Sequence, residues 1–220
     1  MKPVGTLLRV ALILAVTLTS VAVRADDASR WFLWEQANAR MAAARTPDDF
    51  LAAARAYHEL VNDGVRNGPL FFNLGTALLL AGDSENAAVA LRRAERYAGS
   101  TPEIRTNLRQ ALALQSGQTD AELPWDYLLF FWHHDAPLPI RAQAALGGWL
   151  LLWVALLLRL WSHPGAGRLR AFANAGLLFG VLTFSIFLAS VTLSWLQEQA
   201  DDRGWSERVF AGKTIPEAAP

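Results

Sequence analysis

The sequence predicts an all-α protein: a domain of short helices joined by tight turns, followed by a two-helix transmembrane hairpin. Three observations carry this reading. Apolar residues recur at helical spacing between residue 26 and about residue 122. Proline, glycine, asparagine and aspartate punctuate that region at short intervals. Two late runs, residues 142–161 and 172–195, carry a single charge between them, Arg159. As helices they measure about 30 and 36 Å, enough to cross a hydrocarbon core of about 30 Å.

Composition narrows the function. Of 220 residues, 53% are hydrophobic, and 20 basic residues balance 20 acidic ones. A neutral chain of this kind is not a general nucleic-acid binder. There is no cysteine, which excludes disulfides, thiolate metal sites and thiol catalysis. No phosphate-binding loop, nucleophile elbow or zinc-protease motif occurs. The expectation is a protein that is not an enzyme and needs no cofactor.

Residues 1–25 read as a signal peptide. Lys2 and Arg9 give a positive start, Val10 to Val23 an apolar run, and Val23-Arg24-Ala25 a cleavage site before Asp26. The alternative is an uncleaved signal anchor, and either one exports residues 26–122. Five helices are expected there. The first covers 29–44 and stops before Thr46-Pro47. The second follows Asp48-Asp49 and ends near Asn62-Asp63-Gly64. The third covers 69–81, the fourth runs from Ser84 to near Gly99, and the fifth opens at Thr101-Pro102-Glu103.

These helices repeat. Asn73-Leu74 recurs as Asn107-Leu108, and Leu78 as Leu112, a period of 34, with Asn38 preceding Asn73 by 35. Phe71, Leu74, Gly75 and Leu78 share one face of the third helix, and Ala87, Leu91 and Ala94 the facing side of the fourth. Close helices need a small residue at the crossing and large apolar residues beside it.

The stretch Phe71 to Ala94 resembles a tetratricopeptide repeat, with those seven residues at signature positions and the closing proline displaced to Pro102. About two and a half repeats are expected, the first a degenerate copy keeping Ala53, Tyr57 and Leu60. The layout of signal, repeats (26–122), aromatic linker (123–141) and hairpin resembles the tetratricopeptide membrane protein of bacterial aerotolerance operons. That resemblance implies partners of two kinds: membrane proteins with von Willebrand factor A domains, and a MoxR-type ATPase. Many of those proteins carry an SH3-like domain after the hairpin, for which the polar segment 196–220 is too short.

Arginines set the topology. Arg159, Arg168 and Arg170 cluster at the loop 162–171, against Arg141 and Arg203 at the outer ends. The positive-inside rule then puts the loop in the cytoplasm. The repeat domain and the tail lie in the periplasm of a bacterial inner membrane. Trp125, Tyr127, Phe130, Phe131 and Trp132 are expected as an aromatic belt at the outer surface, with Trp161 and Trp195 marking the helix ends.

Three features are candidates for recognition. Asn38, Asn73 and Asn107 fall at one repeat position, so their amides could line a peptide groove, with Arg105 and Arg109 adding charge. Bonds to neighbouring helices are the competing use of those amides. Arg92, Arg93 and Arg96 read as a solvated helix face rather than a site for an anionic lipid or partner. The triplet His133-His134-Asp135, considered as a metal site, is instead expected to turn toward water. The function expected is a scaffold. The alternatives are an accessory subunit acting through its hairpin, or a metal-dependent factor using His133–Asp135.

Overall fold

A computed structural model describes residues 29–117, 126–163 and 166–208, and the regular elements among them are all helices. The signal peptide, Trp125 and the end of the tail (209–220) lie outside the described residues. The chain divides into two compact units between Val65 and Arg66.

The first unit holds α1 (29–43) and α2 (Pro47–Asn62). Helix α2 opens before Asp48-Asp49, not after them, because Thr46 caps it. The Thr46 hydroxyl accepts the Asp49 N–H at 3.2 Å, and the Asp49 carboxylate accepts the Thr46 N–H at 2.9 Å. This reciprocal box, with Pro47 as first helical residue, satisfies two otherwise orphaned donors. Tyr57 joins the two helices: its hydroxyl donates to Asn38 Oδ1 at 2.8 Å, and its ring meets Trp34 edge-on.

The second unit begins with α3 (Gly68–Leu80), α4 (Ser84–Ala98) and α5 (Pro102–Ser116). Asn67, Asp83 and Thr101 cap them by accepting the N–H groups of Leu70, Asn86 and Ile104. Gly82, at φ +83°, makes the reversal between α3 and α4. Phe71, Leu74, Leu78, Ala87, Leu91 and Ala94 are completely buried, and each large side chain contributes about 1.5–3 kcal/mol. Gly75 sets the spacing. A Cβ there would lie 2.7 Å from Leu91 Cγ and 3.2 Å from Leu91 N.

After the short helices α6 (Asp126–Leu129) and α7 (Phe131–His134), α8 (Leu138–Trp161) and α9 (Gly167–Arg208) pack against each other. Both are long and apolar enough to cross a membrane. Their backbones approach at Gly148 and Gly180, where a Cβ would lie 2.6 Å from Phe184 N and 2.8 Å from Leu152 N. Gly176 and Gly180 form the small-xxx-small step typical of close membrane helices. The boundaries differ from expectation. Helix α8 begins before residue 142, and the interhelical loop is shorter than 162–171. Helix α9 does not stop at Trp195. It is one helix of 42 residues, about 63 Å long. Leu196-Gln197-Glu198-Gln199-Ala200 are good helix formers, with no glycine until Gly204.

Candidate functional site

The expected groove residues have different surroundings. In the first unit Asn38 accepts the Tyr57 hydroxyl. In the second, Asn107 Nδ2 donates to Thr76 Oγ1 at 2.9 Å, bonding α5 to α3 within the stack. Arg105 reaches Asp135 at 3.1 Å and the Ser100 carbonyl at 3.3 Å, while Arg109 is exposed. Asn73 lines a shallow apolar groove of about 250 Å³, with Pro69, Phe72 and Ile104.

The arginines of α4 correct the solvated-face reading. Arg92 is exposed, but Arg93 is completely buried and Arg96 nearly so. Positions 93 and 96 share one face of α4, and Glu198, Asp201 and Asp202 share one face of α9. Arg93 pairs with Glu198 Oε1 at 2.8 Å and with Asp202. Arg96 pairs with Glu198, and with Asp201 at 3.2 Å. Arg66 reaches Glu198 at 3.5 Å. Three arginines thus meet three carboxylates, which offsets the cost of burying charge. The Arg93 guanidinium also lies 5.0 Å over the Phe71 ring.

Beside this cluster the histidines face protein, not water. His134 stacks on Tyr127 at 3.7 Å, and its Nδ1 lies 3.3 Å from Glu95 Oε2. The same oxygen accepts the Tyr127 hydroxyl at 2.7 Å, and Oε1 accepts that of Ser100 at 2.7 Å. Burial alone would raise the Glu95 pKa, but the hydrogen bonds from His134, Ser100 and Tyr127 outweigh it and hold the carboxyl below its ordinary value. Tyr127, expected in the aromatic belt, is half-buried in this network. Trp132 is half-buried with Phe130 and Phe131 edge-on to it, whereas Trp161 and Trp195 are 84% and 58% exposed.

Arg141 lies at the start of α8, completely buried. Its Nη1 donates to Ser190 Oγ and Ser194 Oγ, both at 2.8 Å, and meets His133 Nδ1 at 2.9 Å. A guanidinium cannot accept, so Nδ1 turns its lone pair toward this corner, where the Ser190 hydroxyl lies 2.8 Å away, and the ring is neutral. Burial, then the charge of Arg141, pushes the His133 pKa down to about 4. Among the described residues, Arg141 Nε and Nη2 have no hydrogen-bond partner. With Glu95, His133, His134 and Gln197, Arg141 lines a polar cavity of about 370 Å³.

Sequence reasoning missed the junction between α4 and α9. Its signals were a basic face with spacing 93/96 and an acidic face with spacing 198/201/202, about 100 residues apart. The G-L-L-F-G step at Gly176–Gly180 was the other unread signal. No protein-family model, curated protein or solved structure matches this chain.

Proposed function

We propose that this chain is a non-enzymatic scaffold of a bacterial inner membrane, whose tetratricopeptide-like domain binds a protein partner on the periplasmic side. The observation carrying it is the ionic junction of Arg66, Arg93 and Arg96 with Glu198, Asp201 and Asp202. It fastens the helices α3–α5 to the end of a helix long enough to cross a membrane, the construction a surface-mounted adaptor needs. The tetratricopeptide reading is supported by the crossing at Gly75 and Leu91 and the burial of the other signature side chains. The open groove beside Asn73 is the face offered to a partner. Partners with von Willebrand factor A domains, and a MoxR-type ATPase behind them, follow from the resemblance alone.

A second reading, action through the hairpin, is favoured by the large exposed apolar surface of α8 and α9, including Trp149, Trp153, Phe172 and Phe179. Photo-crosslinking separates the two. A crosslinker at Phe72, in the groove, should trap a membrane protein in cells, and an adduct with a von Willebrand factor A-domain protein supports the aerotolerance assignment. Adducts only from Phe179, with none from Phe72, would replace the scaffold by the hairpin reading.

A further inference from the structure

The polar cavity beside Arg141 does not end at its polar wall. A second cavity, of about 440 Å³ and mostly apolar, is lined by Trp132, Ile186, Ala189 and Leu193. The two share His133, His134 and Gln197. One is therefore polar and carries arginine, and the other runs along the apolar surface of α9. We propose that together they bind one anionic phospholipid, its phosphate against Arg141 and an acyl chain against Ile186 and Leu193. The proposal rests on the membrane reading of α8 and α9.

The chemistry of Arg141 carries the headgroup assignment. Two serines and His133 occupy Nη1 and fix the guanidinium plane. What remains unpartnered among the described residues is Nε and Nη2. Those two N–H groups lie along one edge of the guanidinium and make the paired hydrogen bonds that match phosphate oxygens. An arginine buried without a carboxylate partner among the described residues favours an anion beside it. The acidic residues at the cavity, Glu95 and Asp201, are already engaged, by Tyr127, Ser100 and His134 and by Arg96 respectively. Arg92 and Arg96 add positive charge to the lining. Position fits as well: Ser190 and Leu193 lie just inside the end of the apolar run of α9, at headgroup depth for a helix leaving the bilayer near Trp195.

The test is native mass spectrometry of the full chain in detergent, titrated with phosphatidylglycerol, phosphatidylcholine or inorganic phosphate. Phosphatidylglycerol should bind about tenfold or more tightly than phosphatidylcholine. Arg141→Lys, which keeps the charge and loses the fork, should weaken phosphatidylglycerol binding about tenfold. Leu193→Gln, on the exposed surface of α9, should weaken it with Arg141 intact, so a misfolded Arg141 variant does not decide the matter. Equal binding of the two lipids, or no effect of either substitution, overturns the site. Displacement of phosphatidylglycerol by millimolar inorganic phosphate overturns it in favour of a free anion. Alkaline extraction keeps the two readings apart. A chain that leaves the membrane in carbonate defeats the membrane reading, whereas one that stays without lipid preference defeats the lipid site alone.

Discussion

Arg93 of α4 and Glu198 of α9 are joined at 2.8 Å, the arginine completely buried and the glutamate side chain 15% exposed. Removing one partner of such a pair leaves a charge in low dielectric. Asp202 and Asp201 stay near Arg93, so Glu198→Gln should cost about 1–3 kcal/mol. Arg92→Ala, on the exposed neighbour, should stay within about 0.5 kcal/mol. Thermal unfolding of both variants in detergent measures the difference, and equal melting temperatures would mean the junction holds nothing.

Gly75→Leu should destabilise the second unit by about 1–3 kcal/mol or more, since a Cβ already meets Leu91 at 2.7 Å and the α4 backbone at 3.2 Å. Gly147, where a Cβ meets nothing within 4 Å, is the control. Protease resistance should drop for Gly75→Leu and hold for Gly147→Ala.

The asparagines separate by role. Asn107→Ala removes a bond between α5 and α3 and should cost about 0.5–1.5 kcal/mol. Asn73→Ala, at the groove, should weaken partner recovery. Undiminished co-purification of Asn73→Ala would remove the groove from the proposal.

Acid should loosen the region around α7. Below its ordinary value of 6.5 the unfolded His133 takes a proton, while in the fold its pKa stands at about 4. Between those values the unfolded chain binds more protons, so stability falls as pH drops through that window. Glu95 acts in the same direction lower down. Its lowered pKa contributes stability above the ordinary 4.5, and this is lost as pH falls through the folded value. His133→Asn should flatten the upper part of a melting-temperature profile between pH 7 and 4. A profile unchanged by that substitution would mean the ring titrates freely.

The arginines near the interhelical loop predict the orientation proposed above, with that loop in the cytoplasm. Reporters active outside the cytoplasm should work when fused near Gly117 or Gly204 and stay silent near Gly165. Activity at Gly165 with silence at Gly117 would invert the orientation.

Much of the fold was legible because its signals are local. Thr101-Pro102 opened a helix where a cap and a proline predicted one, and the glycine and apolar pattern of residues 71–94 marked the crossing of α3 and α4. The site was less legible. Arginines three apart look the same whether they face water or carboxylates, and only long-range packing decides. His133 and His134 looked solvent-facing because Ser190 and Glu95, their partners, are distant in sequence. Helix α9 outlasted its hydrophobic run because burial ends where apolar residues end, but helix propensity does not.

The unbroken course of α9 has a mechanical meaning. With the hairpin in a bilayer, as proposed, the same rod that meets lipid also carries Glu198, Asp201 and Asp202, and no joint separates the two stretches. A helix answers a change in bilayer thickness by tilting or rotating. In that arrangement such a motion would pass to α4 through its arginines rather than dissipate in a linker. Membrane thickness and the attitude of the helices that follow Arg66 would then be a single variable.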